Sequence, residues 1–93
     1  MEEYMAFDMG TRYSDLSAAD KAEVAETLCD IGMMYSNGDG VEPDLITAHT
    51  WFNLAAHSGD VVAREHRADI SREMSAAEIA AAQRMARDWL QVN

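Results

Sequence analysis

Residues 28–59 carry two apolar stripes at helical spacing, separated by a segment that a helix cannot cross. Val24, Leu28, Ile31 and Tyr35 recur every three or four residues, with Ala25, Cys29 and Gly32 beside them. Asn37-Gly38-Asp39-Gly40 then interrupts the pattern. Gly38 can take the left-handed conformation that ends a helix. Pro43 blocks continuation from upstream, and the Asp44 carboxylate suits the cap of a new helix. Leu45, Ala48, Trp51, Phe52, Ala55 and Ala56 form the second stripe, and Gly59 closes it. Two stripes joined by so short a turn must pack face to face, which gives an antiparallel helical hairpin. A glycine inside a helix costs roughly 1 kcal/mol relative to alanine, so Gly32 should recover that through close packing. The spacing predicts that it faces Trp51 or Ala55, with the Trp51 indole filling the space between the helices.

Leu28, Gly32 and Tyr35 on the first helix, Gly38, Gly40, Val41 and Asp44 in the turn, and Ala48, Trp51, Phe52, Ala55, Ala56 and Gly59 on the second together resemble one complete Sel1-like repeat, a relative of the tetratricopeptide hairpin. The resemblance implies an all-α chain of about five helices, with antiparallel helical hairpins stacked as a short α/α solenoid. It also implies a non-enzymatic scaffold that binds another protein in a shallow groove lined mainly by the first helix of each hairpin. On that reading residues 18–36 supply the ligand face. Glu23, Glu26, Asp30, Met33, Met34 and Asn37 are its outward candidates, and a basic or amphipathic segment is the natural ligand. Some cysteine-rich secreted members are described as β-lactamases. This chain lacks their paired cysteines and a Ser-x-x-Lys, so that activity does not carry over.

The flanking segments fit one domain over residues 1–93. Residues 1–16 read as a degenerate N-terminal helix. Met5, Met9 and Tyr13 fall four apart, and Asp8, Gly10, Tyr13 and Ser14 repeat the offsets of Asp30, Gly32, Tyr35 and Ser36. Ser17 can cap a helix over residues 18–36, and residues 18–59 form the complete repeat. Residues 60–91 read as a partial repeat and C-terminal capping helix. Asp60 caps a helix to residue 73 whose apolar face is Ala63, His66, Arg67, Ile70 and Met74. Ser75 and Glu78 form a capping box for a last helix over residues 76–91. Its buried stripe is Ile79, Ala82, Ala86, Trp89 and Leu90, while Gln83, Arg84, Arg87 and Asp88 face outward. Repeat arrays need about three units to bury a continuous core, so a homodimer closing an open end is an alternative to closure by these flanking helices.

The formal net charge is -10. Residues 1–50 hold eleven acids against Arg12 and Lys21, whereas residues 51–93 hold six acids against five arginines. Such a surface argues against binding nucleic acid or an anionic membrane. It can steer a basic partner toward the N-terminal half, or simply keep a small protein soluble. An alternative function follows from the same charge: an acidic inhibitor or antitoxin-type protein masking a basic nucleic-acid-binding partner. No apolar run approaches the roughly 20 residues needed to span a bilayer. Met1-Glu2-Glu3 is the wrong start for a secretory signal, and a single cysteine excludes an internal disulfide, so the expected compartment is the cytoplasm. Cys29 reads as a small core residue. His49, His57 and His66 lack the spacing that puts two ligands on one helical face, and the Asn37–Gly40 turn lacks the ligand pattern of a calcium loop. No phosphate loop, Gly-x-Ser-x-Gly or Cys–His pairing points to catalysis, and no cofactor is implied.

Overall fold

The computed structural model of the chain describes residues 12–93. A 3-10 turn, Tyr13–Asp15, leads into four helices: α1 (Ala18–Asn37), α2 (Leu45–His57), α3 (Val61–Ser71) and α4 (Ala76–Val92). The described residues are all-helical, with no strand. The fifth helix, expected within residues 1–16, lies outside the described residues except for its last five positions, residues 12–16. There, Tyr13 opens the 3-10 turn.

Each boundary has a local chemical cause. Ser17 Oγ accepts from Asp20 N at the start of α1, and Asp60 Oδ1 accepts from Ala63 N at the start of α3. Asp44 holds the start of α2 twice, accepting from Thr47 N at 3.1 Å and from Thr47 Oγ1 at 2.8 Å. At α4 the capping box is complete: Glu78 N donates to Ser75 Oγ and Ser75 N donates to Glu78 Oε1. Gly38 ends α1 with φ 70°, and the Asp39 amide donates to Met34 O. A side chain at that position would strike Pro43, whose Cγ lies 2.6 Å from an added Cβ. The Asp44 amide donates to Tyr35 O and closes the loop.

α2 is the hub. The helix pairs that share extensive interfaces are α1 with α2, α3 with α2, and α4 with α2. α1 runs antiparallel to α2. α3 also runs antiparallel to it, because His49 near the start of α2 meets Ser71 at the end of α3, and Asn53 meets Arg67. α4 runs parallel to α2. At one end Thr50 Oγ1 leans on Ala82 O at 3.4 Å. At the other, Tyr13 joins the two helices, its hydroxyl on Ser58 and its ring edge-on to Trp89 at 5.3 Å. Ser58 Oγ gives its own proton to Leu54 O, so Tyr13 is the donor to Ser58. Lys21 Nζ lies 5.2 Å from the centroid of the same ring, a cation–π contact.

The core cluster comprises Leu28, Cys29, Ala48, Phe52, Leu54, Ala55, Ala63, Ile70 and Ala86. Its wedge is Phe52, fully buried, and not Trp51, which is half-buried at the margin. The nearest neighbour of Gly32 is Phe52, not the expected Trp51 or Ala55: a Cβ built on it would lie 2.6 Å from both Cδ1 and Cε1 of the Phe52 ring. Adjacent helical residues differ by about 100° in direction, and the Phe52 side of α2 is the one turned to α1. On its other side Phe52 stacks on His66, with centroids 5.3 Å apart.

Candidate partner-binding site

α1 presents two opposite faces. Ala25, Leu28, Cys29 and Gly32 are buried, while Glu23, Glu26, Asp30, Met34 and Asn37 are exposed on the far side. The exposed set falls at successive steps of three, four, four and three residues, which keeps it on one stripe. Of the six residues expected to face outward, Met33 departs: it is half-buried and packs against the core cluster. It sits at the edge of the stripe, where an unbranched side chain can fold back onto apolar surface. Met34 is 38% exposed and carries the apolar end of the face. The acidic surface continues into the turn through exposed Asp39 and Glu42. Among the described residues the ion pair within contact distance is Arg72–Asp69 on α3, so Glu23, Glu26 and Asp30 have no basic partner there.

Asp44 and Cys29 are structural. The Thr47 backbone amide, then its hydroxyl, hold the Asp44 carboxyl below the usual range, as expected for a working helix cap. Burial, followed by the charges of Asp60 and Asp30, pushes the Cys29 thiol up, so the nucleophilic thiolate is disfavoured.

The three histidines are separately employed. His66 stacks on Phe52, His57 is exposed, and His49 is buried at 2% exposure. Among the described residues no three His, Cys, Asp or Glu side chains come together as a metal site. His49 Nε2 lies 3.1 Å from Ser71 Oγ, which superficially resembles a nucleophile and its base. The proton count argues otherwise. Ser71 Oγ donates to Arg67 O at 2.7 Å, so His49 must carry its proton on Nε2 and donate to the serine. Nδ1 is left buried without a hydrogen-bond partner, so no carboxylate among the described residues holds the ring through it. Burial, and then the Arg67 charge, push the His49 pKa down, which keeps the ring neutral.

A groove of about 400 Å3 opens between α2 and α4, lined by Asn53, Leu54, His57, Gln83, Ala86, Arg87 and Leu90. It lies on α2 and α4, whereas the sequence points to α1 as the ligand face. It lies where α4 packs on the flank of α2. No spacing rule announces this. Asn53 and Gln83, which both line it, lie on different helices and far apart in the chain.

No family model, curated protein or solved structure matches the chain. Among the described residues no helix is long and apolar enough to cross a membrane.

Proposed function

We propose that the protein is a non-enzymatic adaptor of the Sel1-like kind, the α1–α2 hairpin extended by α3 and α4 into a short solenoid, which binds a basic or amphipathic segment of another protein on the outward face of α1. The observation that carries this reading is the stripe Glu23, Glu26, Asp30 and Met34. It is exposed, unpaired among the described residues, and ends in a pliable apolar side chain. The parallel course of α2 and α4 supports the solenoid reading, and the burial of Leu28, Gly32, Ala48, Phe52 and Ala55 supports the α1–α2 hairpin. Acidic residues along one helical face attract a cationic helix and fix its register, while Met34 adapts to its apolar side.

The test uses a synthetic amphipathic helix of lysine and leucine as the probe. Binding should weaken as salt is raised and fall by about tenfold or more in the Glu26→Lys, Asp30→Lys double variant. A control variant, Glu65→Lys with Glu73→Lys, alters exposed acids on the α3 side and should bind normally. Equal weakening in both variants would mean that net charge, and not the α1 face, attracts the probe.

The spread of acids beyond α1 to Asp39 and Glu42 favours a second reading, an acidic inhibitor that covers the basic site of a nucleic-acid-binding protein. In that case the partner captured from the native host is displaced by duplex DNA or structured RNA. An adaptor's partner is not.

A further inference from the structure

The groove between α2 and α4 differs in character from the α1 face. Its floor is apolar: Leu54 and Ala86 are buried and Leu90 is half-buried. Its rim is Asn53, His57, Gln83 and Arg87, and among the described residues no carboxylate lines it. The rim groups are poised to donate. Arg67 Nη1 donates to Asn53 Oδ1 at 2.6 Å, which occupies the amide oxygen and leaves the two N–H groups of that amide directed away from Arg67. Arg87 is exposed and has no acid within ion-pair distance among the described residues. Gln83 and His57 add further donors. The surrounding charge permits an anion here, because residues 51–93 carry five arginines against six acids, while the bulk of the negative charge belongs to residues 1–50.

Donors around an apolar floor, with no acceptor charge among them, select a carboxylate adjacent to an apolar side chain. The size limits the occupant further. An α-helix is about 10 Å across, so a groove of about 400 Å3 takes a few side chains and not a whole helix. We propose that this groove is a docking site for a short acidic segment of a partner protein. A Glu or Asp carboxylate is held by Arg87 and the Asn53 amide, and a neighbouring Leu, Phe or Met lies over Leu54, Ala86 and Leu90. The site is independent of the α1 face. With both occupied, the molecule bridges a basic segment on one side and an acidic one on the other.

The experiment titrates the full chain against a peptide labelled at its N-terminus, fluorescein-Gly-Glu-Leu-Phe-Asp-Leu-Gly-amide, and against its isostere with Gln and Asn in place of the acids. Anisotropy should show saturable binding of the acidic peptide and about tenfold or more weaker binding of the isostere. Arg87→Glu, at an exposed position that leaves the fold intact, should weaken the acidic peptide by about tenfold or more, and Arg87→Lys should restore part of it, because lysine keeps the charge but not the two-pronged geometry. The Glu26→Lys, Asp30→Lys variant should bind this peptide normally, which separates failure here from failure of the α1 reading. The proposal is overturned by absence of saturable binding up to roughly 1 mM, by equal affinity for the isostere, or by indifference to Arg87→Glu. It is also overturned if sedimentation shows that a second copy of the chain fills the groove, with Arg87→Glu dissolving the dimer.

Discussion

Gly32 and Phe52 set the distance between α1 and α2. The ring fills the space that any side chain at position 32 would need, and it cannot retreat, because His66 stacks on its other side. Gly32→Val therefore has opposed consequences: it removes a poor helix former but drives two methyl groups into a buried ring. Overpacking of that kind typically costs about 1–3 kcal/mol, which outweighs the roughly 1 kcal/mol or less gained in helix propensity. The expected result is a melting temperature lower by about 5–15 °C for a domain of this size. Gly32→Ala combined with Phe52→Leu should be less destabilised than the sum of the two single changes, because each substitution relieves the other. Additivity in that cycle would show that the two residues do not touch. The sequence predicts that Gly32 needs a close neighbour and places that neighbour in the correct stretch of α2. It does not distinguish Trp51 from Phe52, since both lie on the apolar stripe and only the rotation of α2 about its own axis separates them.

Helix ends were legible because their chemistry is local. Ser17, Asp44, Asp60 and Ser75 each accept from an amide three residues ahead, a relation visible in the order of residues. Joints between elements were not legible, because they pair residues with no sequence relation. Tyr13 on Ser58 spans 45 residues, and His49 on Ser71 spans 22. The second of these joints predicts a pH response. His49 is neutral, buried and fixed as the Nε2–H tautomer between α2 and α3, and protonation would place a second proton on an Nδ1 that has no acceptor, near the Arg67 charge. Its folded pKa lies below the unfolded value of about 6.5. Below that pH the unfolded chain binds the proton more readily than the folded one. The contribution of His49 is thus whole above about pH 6.5 and is lost as pH falls toward the folded pKa. The melting temperature should drop between about pH 7 and pH 5, and more steeply in the native chain than in His49→Gln, which has nothing to titrate at that position. Parallel curves for the two proteins would remove His49 as the cause. The Asp44 cap acts at lower pH, since its depressed carboxyl contributes stability that is present above the unfolded value and lost as acid titrates it.

At the scale of the whole molecule, the uneven charge works against the fold that carries it. Eight acids between residues 12 and 50 are exposed, and Arg12 and Lys21 are the bases in that stretch. On α1, Glu26 stands three residues after Glu23 and four before Asp30, a like-charge arrangement in which each neighbouring pair is unfavourable by about 0.2–0.5 kcal/mol. A stripe that costs stability and is available for contact has the properties of a binding surface, and these two properties can be separated by experiment. Glu26→Lys replaces two repulsions with two attractions, so at low salt the variant should be more stable than the native chain by about 1–2 kcal/mol and melt about 5–15 °C higher. Salt should raise the native melting temperature and narrow the gap, because exposed charges are screened beyond about 10 Å at 0.1 M. The same variant should lose affinity for a cationic helix. A change that strengthens the fold while weakening recognition identifies the acids as serving a partner. If Glu26→Lys instead lowers the melting temperature at every salt concentration, the stripe belongs to the architecture of α1, and the recognition surface must be sought around Arg87.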